Sequence, residues 1–405
     1  MLSKQTVKSV PLARTAVLVR ADYNVPLTEG GEISDDYRIR ASLPTLRYLK
    51  SQGCKVFIVS HLGRPKGERN QKYSLRAVAA RLSEYLHQDV DFVEDCVGEK
   101  VEVQAAEMVP GDVVLLENLR FYSEEEANDE EFAKQLVQAT GARYFIQDGF
   151  GVVHRAHAST EAVTHLLPSV AGLLLEKEFN TLTKAVGSPA RPLYAVLGGA
   201  KVSDKIEIIQ SFVEKADRIF IGGAMANTFL KYKGYSVGKS LVEDGKESVI
   251  DSIYEAAKQK VGVDKVNEFI VLPVDVAVSG SVAGLRRTVG LDEVPEEDMI
   301  LDIGDQTIEL FAQKLTEAKT IIWNGTLGIA DKLPFSHGSA RVALAMASGE
   351  RTTTIIGGGD TADFVIKWSD RDPSAFSHVS TGGGASLELM SGRTLPGVAA
   401  LIDRA

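Results

Sequence analysis

Two sets of residues in this chain are suited to phosphate chemistry, and they are of opposite kinds. In the first half, apolar runs end on cations and hydrogen-bonding groups. TAVLVRADYN ends on Arg20, Asp22 and Asn24, CKVFIVSHLGR on His61 and Arg64, and DVVLLENLRF on Arg120; ARYFIQDGFG leads into His154, Arg155 and His157. Arg38 follows the first run. A planar guanidinium matches the oxygens of a carboxylate or phosphate in pairs. Scattered surface arginines are the ordinary alternative for any one position, but recurrence at successive runs argues for a shared pocket. Such a pocket fits a small, multiply charged anion, and Asp22 and Asn24 suit hydroxyl groups on it.

In the second half the apolar runs end on glycine instead: Gly198-Gly199, Gly222-Gly223, Gly325, Gly357-Gly358-Gly359 and Gly382-Gly383-Gly384. Glycine tolerates positive φ and lets backbone N–H groups approach a ligand, and a helix starting there turns its positive end toward a phosphate. TIIGGGDTAD therefore reads as a strand, a phosphate-approach turn and a helix start, with the Thr361 hydroxyl available to a phosphate oxygen. Asp360 reads either as a helix N-cap or as a partner for Mg²⁺ riding on a nucleotide. In GGAKVSDKI, the four-residue spacing of Lys201 and Lys205 predicts one face of a helix beginning at the glycine turn. Two lysines there oppose the helix dipole unless an anion is present, which favours phosphate contact over an exposed basic face. Asp275 in LPVDVA is a second acid for the metal or a turn cap. Two look-alikes fail: Gly234 to Ser240 is one residue short of a P-loop, and Gly149 to His154 lacks the last glycine of a dinucleotide fingerprint.

The elements that must position these groups are short strands alternating with amphipathic helical segments along the whole chain. That pattern predicts parallel sheets buried on both faces. The length of 405 residues exceeds what one core fills, so two domains are expected. Leu166 to Val186 reads as one long helix stopped by GSPARP, which marks the boundary. The run Glu124-Glu125-Glu126 reads as a solvated helix start. A net charge of −10 argues against a nucleic-acid partner. Two unpaired cysteines, Cys54 and Cys96, fit a reducing compartment. MLSKQTVKSV carries no leader-like apolar core and no stretch is apolar enough for a membrane span, so a cytoplasmic, unexported chain is expected. A basic pocket for an acid in one half and a glycine-lined nucleotide pocket in the other make a kinase the economical reading, with two lobes closing on their substrates.

The chain resembles the phosphoglycerate kinase family along nearly its whole length. VRADYNVPL, DDYRIRASLPT, SHLGRP, LLENLRF, FGVVHRAHAS, LGGAKVSDKI, IGGAMANTF, TIIGGGDTA and VSTGGGASLELMSGRTLPGV match in order. The resemblance implies two doubly wound, Rossmann-like domains: 1–167 for the acid substrate, a helix and hinge over 168–191, and 192–386 for the nucleotide. It also implies that 387–405 returns to the first domain. The implied reaction is reversible, Mg²⁺-dependent phosphoryl transfer between ATP and the carboxylate of 3-phosphoglycerate. Asp22, Asn24, Arg38, His61, Leu62, Gly63, Arg64, Arg120 and Arg155 would form the acid site, with Arg38 facing the reacting carboxyl. Gly199, Ala200, Lys201, Lys205, Gly223, Asp331, Gly358, Gly359, Asp360 and Thr361 would form the nucleotide site. In that set Lys201 would stabilise the moving phosphoryl group, Lys205 would hold the nucleotide phosphates and Asp360 would face Mg²⁺. A monomer with only small-molecule partners, and no membrane or nucleic acid, is implied. Departures cluster near the nucleoside: Thr326 for proline, Ala330 for an aromatic, Asp331 for the ribose-holding glutamate and Asp305 for proline. They predict altered nucleotide affinity or base preference. The rivals are another acyl-phosphate-forming kinase and a binding protein that has lost catalysis.

Overall fold

The computed structural model describes residues 1–349, 351–370 and 372–404. The chain divides into two units, Met1–Asn180 with Thr394–Ala405, and Thr181–Arg393. The division falls inside the helix Leu173–Gly187.

The first unit holds six parallel strands: β1 (Ala16–Arg20), β2 (Lys55–Val59), β3 (Val90–Val93), β4 (Val113–Leu116), β5 (Tyr144–Gln147) and β6 (Ser169–Ala171), in the order β3-β4-β2-β1-β5-β6. Side chains alternate between two buried faces. Val17, Val19, Val56 and Ile58 pack into one core, and Leu18, Phe57 and Val59 into the other. Both faces of the central strands are covered, so β1, β2 and β4 carry mainly apolar runs, while the edge strand β3 is broken by the exposed Asp91. The chain moves from β1 toward one edge and returns beyond β1 to β5. The ends of β1 and β5 therefore form a topological switch point, where a crevice opens.

The helix expected over 166–186 begins only at Leu173. Ser169–Ala171 instead pairs with β5 as the sixth strand. The apolar string LPSVAGLLL looked helical because a buried strand and a buried helix are equally apolar, and only the partner strand separates them.

The second unit repeats the plan with β7 (Leu193–Leu197), β8 (Arg218–Ile221), β9 (Ile270–Val271), β13 (Thr320–Asn324), β14 (Thr353–Gly357) and β15 (His378–Val379), ordered β15-β14-β13-β7-β8-β9. Its switch point lies between β7 and β13. A separate antiparallel sheet, β10 (Asp275–Ser279), β11 (Arg287–Gly290) and β12 (Met299–Ile303), was not anticipated. The run EFIVLPVDVA, read as one strand, is cut at Leu272-Pro273-Val274 into β9 and β10, which belong to different sheets. Thr394 onward lies with the first unit: Gly397 N–H donates to the Val153 carbonyl at 2.9 Å and Gln5 N–H to the Ile402 carbonyl at 2.8 Å. The helix Gly384–Ser391 stays in the second unit, where its Met390 carbonyl accepts from Ser211 Oγ at 3.1 Å.

Candidate active site

In the first unit the strand ends do bring the cations together, but through more carboxylates than residue type suggested. Arg38, on the helix Tyr37–Ser51, donates to Asp22 Oδ2 at 2.9 Å. Asp22 Oδ1 accepts from Asn24 N–H at 3.2 Å, and Asn24 Oδ1 accepts from Gly63 N–H at 2.8 Å. Arg120 donates from Nη1 to the Gly63 carbonyl at 2.9 Å and lies 3.2 Å from Glu126. Asn118 Nδ2 holds the Leu62 carbonyl at 2.7 Å, so the turn after β2 is fixed from three sides. Gly63 itself is required there: its φ is +64° and an added Cβ would stand 2.4 Å from the Tyr73 ring. Leu62 is buried. Arg64 and Arg155 are exposed and make no ion pair among the described residues. Arg155 acts on Arg120, His154 and His157, and Arg64 follows directly on the Leu62-Gly63 turn.

Glu125 corrects the solvated reading of the acidic run. Glu124 and Glu126 are exposed, but Glu125 is fully buried. It accepts from Ser159 Oγ at 2.6 Å and Ser159 N–H at 3.0 Å, and lies 3.8 Å from Arg20 Nη2. Arg20 is itself fully buried; Nε donates to Ser159 Oγ at 2.7 Å and Nη2 approaches His61 Nδ1 at 3.3 Å. Arg20 thus lies beneath the pocket as a brace. The only sequence signal for Glu125 was its place at the first turn after Arg120, which the exposed neighbours masked.

Burial, aided by Arg20, Arg120 and Arg38, holds His61 well below its usual range. Burial and the same two arginines, Arg20 and Arg120, push His157 down to about 4, and burial with Arg155 lowers His154. All three rings are neutral near pH 7, so the positive field comes from guanidiniums.

In the second unit β7 and β13 run side by side into two crossing turns. Gly198 N–H donates to the Asn324 carbonyl at 3.0 Å and Gly199 N–H to the Thr326 carbonyl at 3.0 Å. A Cβ at Gly198 would stand 2.2 Å from the Thr326 carbonyl oxygen, one at Gly325 2.2 Å from the Gly198 carbonyl oxygen, and one at Gly223 2.6 Å from Gly199 N. These three glycines are demanded by backbone packing on backbone, not by space for a ligand. At Gly359, which opens the helix Gly359–Trp368, nothing lies within 4 Å of an added Cβ. Gly358, with φ +86°, is that helix's N-cap and makes no side-chain cap. Asp360 is therefore not the cap; it is exposed in the first turn.

The predicted helical pairing of Lys201 with Lys205 does not occur. Lys201 is exposed in the loop, a 3₁₀ turn covers Ser203–Lys205, and the helix starts at Ile206. Lys205 crosses Gly199, with Cε 3.1 Å from that residue's would-be Cβ, and its amine donates to Asn324 Oδ1. Burial pushes the Lys205 amine down to about 8, against Asp360 and Asp204, which raise it. Thr361 is buried and its Oγ accepts from Gly325 N–H at 2.7 Å, so it pins the turn after β13. Asp275 is a cap: its carboxylate accepts from Thr307 N–H at 2.8 Å and Gln306 N–H at 3.0 Å at the start of the helix Asp305–Leu315.

A cavity of about 380 Å³ is lined by Gly199, Ala200, Gly223, Ala224, Leu241 and Leu327, with Asp360 at its wall. A second, of about 940 Å³, shares Thr326, Gly328, Ile329 and Asp360 and adds Ala330, Asp331, Phe364 and Trp368. Asp331 lines the larger cavity only; it is exposed and 3.8 Å from Lys332. Asp305 lines neither; as the first residue of its helix it pairs with Arg286 at 2.7 Å. Proline and Asp are both favoured in a first helical turn, so that departure is a helix-start exchange outside both cavities. Among the described residues no group of three or more His, Cys, Asp or Glu could hold a metal ion. A lone exposed carboxylate, Asp360, fits a Mg²⁺ that keeps its waters and rides on nucleotide phosphates.

The family model described as phosphoglycerate kinase matches residues 7–393. The phosphoglycerate kinase of Pelotomaculum thermopropionicum is 47% identical over 405 residues, with all of both chains covered. That of Gloeothece citriformis is 49% identical over 390 residues, 95% of each chain. Among solved structures, phosphoglycerate kinase from Coxiella burnetii superposes with a TM-score of 0.81 at 36% identity, and that from Pyrococcus horikoshii with 0.83 at 32%, each covering 98% of both chains. With the cation cluster at one switch point and the glycine turns at the other, these matches establish that the chain belongs to the phosphoglycerate kinase family, whose reaction is reversible phosphoryl transfer between ATP and the carboxylate of 3-phosphoglycerate.

Proposed function

We propose that the acid substrate is held by the first unit and the nucleotide by the second, each through the residues at its switch point. In the first, Arg64 and Arg155, which pair with no carboxylate among the described residues, take the substrate's phosphate and carboxylate charge together with Arg38 and Arg120. Asp22, Asn24 and the Leu62-Gly63 turn set the orientation, and the neutral His61 supplies an N–H. In the second, the base lies in the cavity beside Gly199, Ala200 and Gly223. Lys201 and Lys205 meet the phosphates, with Gly358, Gly359 and Thr361 shaping the turn. Asp360 would hold Mg²⁺, which neutralises phosphate charge when bound. Asp331, exposed and outside the smaller cavity, reaches a ribose only through water.

The chemistry asks little of protein acids or bases. A carboxylate oxygen of 3-phosphoglycerate forms a bond to the γ-phosphorus as the bond to the β–γ bridging oxygen breaks, and the electron pair leaves with ADP. The acceptor is already ionised near pH 7, so no general base is needed. What the residues must do is align the atoms, neutralise charge and exclude water.

The observation that carries this reading is the pair of exposed guanidiniums, Arg64 and Arg155, which make no ion pair among the described residues and sit on the segments that carry the neutral His61, His154 and His157. Arg64→Ala and Arg155→Ala are expected to raise KM for 3-phosphoglycerate about tenfold each while leaving KM for ATP alone. An equal rise in both would place the acid elsewhere. Hydroxylamine trapping of the acyl phosphate made from Mg-ATP and 3-phosphoglycerate checks the reaction itself.

The same reading takes the protein as a cytoplasmic monomer acting on small molecules. Cys54 and Cys96 are both buried free thiols, as a reducing compartment favours, and no helix among the described residues is long and apolar enough to cross a membrane.

A further inference from the structure

We propose that Glu125 is a positioning residue of the acid site: through Ser159 and Arg20 it fixes His61 in the tautomer whose Nε2–H faces the anion. The proposal rests on the acid-site reading above and adds the group that sets it.

The chain of contacts has one consistent direction. Ser159 Oγ has a single proton. It donates to Glu125 Oε1 at 2.6 Å and accepts from Arg20 Nε at 2.7 Å. The carboxylate also accepts Ser159 N–H at 3.0 Å, and the Glu125 carbonyl accepts Ala158 N–H at 2.9 Å, so the loop carrying His154, Arg155 and His157 is tied to the same residue. With Nε committed, the guanidinium plane of Arg20 is fixed, and Nη2 arrives 3.3 Å from His61 Nδ1. A guanidinium can only donate, so Nδ1 must offer its lone pair and the ring proton must sit on Nε2. Nε2 makes no hydrogen bond to protein among the described residues.

The groups around the ring forbid the other states. Arg20 from β1, Arg38 from the helix Tyr37–Ser51, Arg120 after β4 and His157 all act on it against protonation. The carboxylates that meet these arginines are engaged, Asp22 with Arg38 and Glu125 with Ser159 and Arg20. His61 is therefore a neutral donor that adds direction to a field the arginines supply.

The test combines nitrogen NMR of histidine-labelled full-length protein with kinetics. The His61 signals are assigned by their loss in His61→Gln. In the wild type they should show a protonated Nε2 and an unprotonated Nδ1 from pH 6 to 8, without ligand. Ser159→Ala removes only the bridging hydroxyl, and Glu125→Gln only the charge. Both should give a mixture of tautomers and raise KM for 3-phosphoglycerate about tenfold, the worth of one hydrogen bond to an anion, with KM for ATP unchanged. If Glu125→Gln does not fold, Ser159→Ala decides. A wild-type proton on Nδ1, or variants with an unaltered tautomer, overturns the proposal. A shifted tautomer with unaltered KM for 3-phosphoglycerate overturns its link to the anion. The acid-site reading fails separately, if His61→Gln, Arg64→Ala and Arg155→Ala all leave that KM unchanged.

Discussion

The two switch points close the ends of parallel strands with different materials, as the proposed anion sites would require. In the first unit, side chains do the work. Arginines at the ends of β1 and β4 and on the helix Tyr37–Ser51 are each met by a carboxylate, which holds them in place, and the exposed pair remains free for a ligand. In the second unit the backbone does most of it, and the crossing turns leave no room for a Cβ at Gly198, Gly223 or Gly325. A guanidinium cluster can thus lose one member and weaken, whereas the glycine crossing either closes or does not.

The largest expected effect sits where the second unit does rely on a side chain. Lys205→Ala should lower kcat about a thousandfold, since one donor aimed at developing charge is removed. Its fold should survive, because the amine is held at a desolvation penalty. Near-wild-type turnover would remove Lys205 from the mechanism. Gly198→Ala and Gly325→Ala should each destabilise by about 2–4 kcal/mol in urea titrations, through overpacking against carbonyl oxygens. Gly359→Ala should be neutral or stabilising by up to about 1 kcal/mol, as open space and a helix position allow. Equal tolerance at all three would erase the distinction between packing glycines and open ones.

In the first unit the matching contrast is Glu125 against Glu124. Glu125→Ala should cost about 3 kcal/mol by leaving Arg20 buried without its carboxylate, while Glu124→Ala stays within about 0.5 kcal/mol. The smallest effect is a pH limb. With its amine near 8, Lys205 loses its charge as pH rises through that value, so kcat/KM for ATP should fall above pH 8. Lys205→Arg, always charged, should lose that limb whatever its absolute rate. A limb that persists belongs to another group.

Residue type led to the expectation of an anion pocket at Arg38, His61, Arg64, Arg120 and Arg155, because cations at successive strand ends have few other reasons to recur. The structure brings Arg38, His61 and Arg120 into one cluster with Arg20. Glu125 and Ser159 were illegible, since a glutamate between two exposed glutamates looks solvated until Arg20 is seen beneath the sheet edge. In the second unit the glycine turns were legible as turns, but their packing roles were not. The glycines marked the turns, yet sequence cannot separate a glycine that admits a ligand from one that admits a carbonyl oxygen. Likewise Asp275 and Asp360 read alike as acids at strand ends, and only the hydrogen bonds to Gln306 and Thr307 make the first a cap. LPSVAGLLL misled for a related reason, because apolar periodicity reports burial and not the neighbour that decides between strand and helix.

The sequence by itself determined the two parallel sheets, which residues end their strands, and the motifs that place the chain in its family, because these depend on local order and alternation. The tertiary structure alone decided which charges are neutralised, which glycines are obligatory and which nitrogen of His61 carries the proton. Those depend on atoms brought within a few ångströms from distant parts of the chain, and at such distances hydrogen bonding and steric exclusion outweigh residue type.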